Sequence, residues 1–341
     1  MTSGAFTYIG GKVAPGETAN IRYSISETYL GDPIRVPVTI VNGERDGPTV
    51  FLSAAAHGDE LNGIEVVREV AFEWDHADLR GTLILMPVLN VPAFLFQQRY
   101  LPIYDRDLNR SFPGDKESTS AKRMAYDIFR NFIAPADLGI DFHTSTRGRT
   151  NMLHVRADMG DEEVARLARA FGSHVIIDSQ GPEGTLRREA TDVGAPSITI
   201  EMGEAHRFQR KLIDQALEGV VSVFAEYDVY PETAVKWPGW RTVISASEKT
   251  WLRADTGGLV EMHVERGELV EEDTVIATIS DPFKTEVTKV RAPFTGLLVG
   301  ILENPVVYPG NPLCHLVKLD DPTRRAFAAS ERADEAAAEG E

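Results

Sequence analysis

The chain has 341 residues, of which 43% are hydrophobic and 26% charged. That is an ordinary globular composition, long enough for a catalytic domain of roughly 200 to 250 residues plus a smaller companion. Its 35 basic residues against 52 acidic ones leave a net charge of -17, which argues against nucleic acid as a partner, because phosphate binding needs a basic stripe. The lone cysteine, Cys314, excludes a disulfide framework within the chain and a zinc site made of cysteines, and a reduced, cytoplasmic setting is the expectation. No run of about 20 apolar residues predicts a membrane span. The opening residues lack a basic stretch followed by an apolar core, so no secretory signal is expected.

Up to about residue 45 the pattern predicts short strands at 19–26 and 34–41, punctuated by the turn residues of GDP and NGERDGP. TVFLSAAA (49–56) is a continuous apolar run, as in a strand buried on both faces. The segment 61–74 carries Ile64, Val67, Val70 and Ala71 at helical spacing, and TLILMPV (82–88) is a second buried strand. A helix at about 119–134, a strand ending at His143, a helix at 161–171, strands at 174–178 and 197–203 and a helix at 207–227 follow. Strands alternating with helices imply an α/β fold, a sheet covered by helices on both sides, whose functional residues collect at strand ends.

Near residue 231 the pattern changes: 240–318 shows short alternating strands, many glycines and no helical period. Two stretches, 254–279 and 290–316, share one order of small residue, turn, Gly, Leu, strand, turn, Gly, strand. This weak internal repeat resembles the two halves of a biotinyl/lipoyl-like barrel. The expected organisation is a catalytic domain over 1–230, an all-β domain over 231–320, and an Ala- and Glu-rich disordered tail over 321–341.

AAAHGDELNG (54–63) leaves a buried strand and enters a helix, so His57 and Glu60, three residues apart, can face one ion. A catalytic zinc needs three protein ligands and an open position. His143, where an apolar strand runs out into TSTRG, supplies the third. The other histidines lack a matching carboxylate and a strand-end position and are taken as surface or packing residues. RYLPIYDRDLNRSFPG (99–114) has neither helical nor strand periodicity, yet gathers Arg99, Arg106, Asn109 and Arg110 in an acidic chain. A guanidinium grips a carboxylate with two parallel hydrogen bonds, and an Asn adds a third donor. Glu201 lies inside the apolar strand of APSITIEMGEAH (195–206), where a carboxylate is costly. Burial would raise its pKa and suit it to general base and acid work; an ion-paired structural role is the alternative.

Together HGDE, DLNRSFPG, DFHTS and IEMG closely resemble the succinylglutamate desuccinylase/aspartoacylase family, a branch of the zinc carboxypeptidase-like hydrolases, over about residues 20–318. The resemblance implies that His57, Glu60 and His143 bind one zinc ion per subunit and that Glu201 is the catalytic base. It implies that Asn109 and Arg110 hold the substrate carboxylate, and that Arg99 stabilises the oxyanion, although its distance from DLNR varies in the family. The implied reaction is hydrolysis of a small N-acyl amino acid by metal-activated water. GTLRREA (184–190) is expected on a loop near Glu201, where Arg187 or Arg188 reads a second acidic group or is merely solvated. RGRTNMLHVR (147–156) is another candidate pocket wall. Membrane partners are not expected; self-association into a homo-oligomer is left open.

Two other readings compete. A metallocarboxypeptidase acting on short peptides would keep the same ligands and the same Asn–Arg pair. A carrier module would present a lysine between the half-repeats; Lys284 in ISDPFKTEVTKV is near that place but lacks the Met-Lys-Met or Asp-Lys-Ala context.

Overall fold

The computed structural model describes residues 4–102, 105–230, 244–246 and 248–319. The tail expected over 321–341 and the start of the second domain expected at 231 lie outside them. A hairpin of β1 (Phe6–Tyr8) and β2 (Gly11–Val13) precedes the antiparallel pair β3 (Thr18–Glu27) and β4 (Pro33–Asn42). There follow β5 (Arg45–Ala54), α1 (Asn62–Phe72), β6 (Arg80–Met86), α2 (Val91–Leu95) and α3 (Ser120–Ile128). Next come β7 (Leu138–Ser145), β8 (Arg149–Ala157), α4 (Glu162–Phe171) and β9 (Val175–Asp178). α5 (Leu186–Asp192), β10 (Ser197–Glu204) and α6 (Arg210–Glu226) complete this part.

One segment differs from expectation, and one expected only as a pocket wall proves to be a strand. GTLRREA is not a loop: α5 forms there because Leu186 and Ala190, one turn apart, are both buried and the Glu189 carboxylate accepts from the backbone N–H of Gly184 (2.8 Å) at the helix start. The segment after His143 is a strand, β8, because its fully buried Val155 and His154 are held between β10 and β9.

The central strands run in the order β4-β6-β5-β7-β10-β8. β5 is parallel to β6 and β7, β7 is parallel to β10, and β8 runs antiparallel to β10. Alternate residues of the apolar runs enter different cores. Val50, Leu52, Leu83 and Leu85 pack on the side of α1, α4 and α6; Phe51, Ile84 and Met86 pack on the side of α3 and α5. Burial on both faces explains the unbroken apolar runs. A Cβ on Gly63 would stand 2.4 Å from the Cβ of Phe142, so only glycine lets α1 lie this close to β7. From β5 the chain continues to β6 on one side and later returns as β7 on the other, and the crevice at such a reversal is where open α/β sheets bind ligands.

The remaining strands are β11 (Ile244–Ala246), β12 (Lys249–Arg253), β13 (Gly258–Met262), β14 (Leu269–Val270), β15 (Val275–Ser280), β16 (Val287–Arg291), β17 (Gly296–Leu302), β18 (Val306–Val307) and β19 (Pro312–Lys318). No helix follows α6 among the described residues, so this part is all-β. The half-repeats pair reciprocally: Gly258 and Leu259 of the first meet Val307 and Val306, while Gly296 and Leu297 of the second meet Val270 and Leu269. One sheet, β16-β15-β13-β18, faces β17 and β19 across a shared apolar cluster. The other sheet is continuous with the catalytic one, because β17 pairs with β8 through Gly300↔Asn151, Ile301↔Thr150 and Leu302↔Arg149. A Cβ on Gly300 would lie 2.4 Å from Asn151 Oδ1, so this glycine leaves the Asn151 side chain its room.

His154 and His315 are buried where these two parts meet. Burial, followed by the charge of Arg156, pushes His315 down to about 3 and His154 well below the usual histidine range. Both stay neutral in the folded state while the unfolded chain takes up protons below about pH 6.5. The stability these two histidines contribute is therefore full above that pH and falls as acid is added. Between pH 7.5 and pH 5, His315 should take away about 2 kcal/mol of stability, so urea unfolding of His315→Gln should lose less stability over that interval than the wild type, by a comparable amount.

Candidate metal and substrate site

The loop after β5 is pinned by the loop after β6: Leu89 and Asn90 donate backbone N–H groups to Ala54 and Ala55 (3.0 and 2.9 Å), and the Asn90 amide donates to Ala56 O (3.1 Å). The tight turn that follows, with Glu60 N–H donating to His57 O (3.2 Å), turns His57 and Glu60 to the same point. The end of β7 brings in His143. Potential ligand atoms of the three residues lie within 4.8 Å of one another, and all three side chains are buried.

Glu60 is the hub of this cluster. Its Oε1 lies 2.7 Å from His57 Nδ1 and accepts from Arg99 (2.8 Å); its Oε2 lies 2.8 Å from His143 Nδ1 and accepts from Thr144 N–H (3.1 Å). Each imidazole presents its other nitrogen to a second carboxylate: His57 Nε2 to Asp107 at 3.2 Å, and His143 Nε2 to Asp141 at 2.8 Å. Asp141 is in turn held by the Ser53 hydroxyl (2.7 Å). Burial alone would raise Glu60, but His57 and His143 bring it well below the usual carboxylate range. Burial alone would lower His143, but Asp141 and Glu60 raise it well above the usual histidine range. Two Nδ1 atoms and one carboxylate converging, with each Nε2 proton taken by an acid, fit a catalytic zinc site of three protein ligands and its outer shell. Asp107 and Asp141 were missed from the sequence. The signals were present: Asp141 stands two residues before His143 on one strand, so both point to one face, and Asp107 opens DLNR.

Glu201 stands beside His143 in the register of β10 and β7, and the ladder is irregular immediately after it. The carboxylate is not enclosed in apolar surroundings, as its strand suggested. Its side chain keeps 16% of its exposure, makes an ion pair with Arg156 (3.0 Å) and accepts from the Asn151 amide (3.0 Å). The strand backbone is buried, but β10 ends at the cavity, so the side chain opens into it.

The cluster lies in a cavity of about 290 Å³ that also takes in Glu201, Arg99, Asn109, Arg110, Arg149, Arg156 and Arg187. Asn109 and Arg110 sit on a short 3-10 turn, Leu108–Arg110, capped by Asp107 accepting from Asn109 N–H (2.9 Å). Asn109 Oδ1 accepts from Leu186 N–H (2.8 Å), which ties this turn to α5. Its Nδ2 lies 3.2 Å from His143 Nε2, a nitrogen whose proton is directed to Asp141. Arg187 is buried and donates to Ser179 O (2.7 Å), and burial pushes it down to about 10. Arg188 is not among the lining residues and faces Glu183 and Asp192 instead. Arg106 does not line the cavity either. The 147–156 stretch does form a wall, through Arg149, Asn151 and Arg156, and Trp251 of β12 closes it from the all-β part.

Residues 46–227 match the model of the succinylglutamate desuccinylase/aspartoacylase catalytic domain. The chain is 28% identical to an N-alpha-acetyl-L-2,4-diaminobutyric acid deacetylase of Halomonas elongata over 284 residues, 78% of this chain and 80% of the relative. It is 28% identical over 194 residues to a succinylglutamate desuccinylase of Serratia proteamaculans, covering 51% of this chain and 58% of that one. Among solved structures, the product-bound ectoine utilization protein EutE (DoeB) of Ruegeria pomeroyi superposes with a TM-score of 0.79 at 22% identity, over 89% of this chain and 95% of that one. A succinylglutamate desuccinylase/aspartoacylase from Rhodobacter sphaeroides gives 0.79 at 23%, over 89% and 96%. No described helix is long and apolar enough to cross a membrane. The matched segment holds the whole His57–Glu60–His143 cluster and Glu201, and the chain belongs to the succinylglutamate desuccinylase/aspartoacylase family of deacylases.

Proposed function

We propose that the protein is a zinc-dependent deacylase of small N-acyl amino acids, with zinc held by His57, Glu60 and His143. The observation that carries this reading is the paired shell: each imidazole is aimed by its own carboxylate at a point shared with Glu60 and open to the cavity. Bound by these three residues, zinc would supply Lewis-acid polarisation of the amide carbonyl and would make water a usable nucleophile at neutral pH.

The protein's own groups do the rest. Glu201 takes the proton of the attacking water and passes it to the departing nitrogen, which needs a carboxylate that reaches the cavity yet is held in place. Asn151 and Arg156 do that holding. Arg110 has no carboxylate partner among the described residues, and with the Asn109 amide it grips the α-carboxylate of the amino-acid half. Arg187, joined to this pair through α5, reads a further acidic group of the same half. Arg99 faces the oxyanion beside Glu60. The all-β part resembles a biotinyl/lipoyl-like barrel and serves as the wall that closes the cavity. A peptide-cleaving carboxypeptidase would need room for a chain, and a cavity of about 290 Å³, at the lower end for ligand pockets, favours small substrates.

Chelation should abolish hydrolysis of N-acyl amino acids and added zinc should restore it; activity that survives full metal removal would sink the reading. Glu201→Gln should lower kcat by about 10² to 10⁴ with zinc content unchanged. Asp141→Asn leaves the ligands in place but loses the acid that aims His143, so competition with a chromogenic chelator should show zinc affinity reduced about 10- to 100-fold.

A further inference from the structure

Arg149, like Arg110 and Arg187, lines the cavity without a carboxylate partner among the described residues, and it is the one of the three that the proposed grip on the amino-acid half leaves unused. Arg99 is paired with Glu60 and Arg156 with Glu201. Arg149 has no carboxylate partner among the described residues, although its Nε is buried and unbonded. Burial first, and then the charges of Arg253 and Arg99, oppose its protonated form. A cation kept against both burial and like charge in a cavity wall is the mark of a site waiting for an anion.

The side chain is nonetheless held in place. Its Nη1 donates to Thr146 Oγ1 (2.8 Å) and its guanidinium carbon lies 5.9 Å from the centre of the Trp251 ring. Trp251 is itself stacked on the buried His315 at 4.6 Å and 5°. The backbone of Arg149 is fixed by pairing with Leu302 of β17. A planar cation clamped beneath an aromatic ring has little freedom left to lose on binding.

Its place in the cavity says which part of a ligand it meets. Asn109 and Arg110 are joined to the α5 side, where Leu186 donates to Asn109 and Gly184 packs on Arg110. Arg149 belongs to the wall it forms with Thr146, its hydrogen-bond partner, and Trp251 of the all-β part. A substrate gripped at its α-carboxylate by Asn109 and Arg110, with its amide at the Glu60 cluster, extends its acyl tail toward that wall. We propose that Arg149, clamped by Trp251, is a specificity-determining residue that binds an anionic end of the acyl group, so that dicarboxylic acyl chains such as succinyl are preferred to acetyl. This rests on the deacylase reading for its orientation.

The test compares N-succinyl and N-acetyl forms of one amino acid, and separately the protection of the protein against thermal unfolding by free succinate and free acetate. The expected result is a higher kcat/KM for the succinyl compound in the wild type. That ratio should fall roughly 10- to 100-fold in Arg149→Gln, and Arg149→Lys should keep part of it. Succinate should protect the wild type better than acetate, and Arg149→Gln should erase the difference. Equal preference in the wild type, or a preference untouched in Arg149→Gln, overturns the proposal. Succinate protection that depends on Arg149, in a protein that cleaves neither amide, would uphold the anion site and overturn the deacylase reading alone.

Discussion

The Glu60 carboxylate is surrounded by two imidazoles, a guanidinium and a backbone N–H. A buried carboxylate is tolerable only with such partners, and supplying them constrains much of the molecule. His57 must come from the same turn, His143 and Thr144 from the end of β7, and Arg99 from the long segment after α2. Those segments meet only if β5 and β7 are neighbours and parallel, as they are. The close seat of α1 over Gly63 brings the turn down to the sheet.

A second layer of acids carries the same constraint outward. Asp141 and Asp107 orient the imidazoles, and Ser53 on β5 orients Asp141. Residues that never face the cavity therefore decide which nitrogen each histidine offers. The cavity itself concentrates positive charge in a protein of net charge -17. In the field of so acidic a chain, those guanidiniums set the local sign that an anionic ligand meets.

The all-β part is more than an appendage. Its strand β17 extends the catalytic sheet, Gly300 makes space for the Asn151 that holds Glu201, and Trp251 forms part of the cavity wall. The reciprocal pairing of its half-repeats explains why they share a pattern: each supplies the short partner strand of the other.

Much of this was legible in one dimension. Buried strands announce themselves as apolar runs, and the β5, β7 and β10 segments with their terminal His57, His143 and Glu201 could be read because a change from apolar to polar marks a strand end. Motifs confined to a few residues, such as HGDE and DLNR, were legible for the same reason. Three things were not. The helix at α5 was hidden by its shortness, since two apolar positions do not establish a period. The partners of Glu201 were hidden because Asn151 and Arg156 reach it across a strand pairing, some 50 positions away. The roles of the arginines were hidden most fully, because a guanidinium with a carboxylate partner and one without look identical in sequence. Local pattern sets which residues leave the core; only packing of distant segments settles which charges find each other and which remain for a ligand.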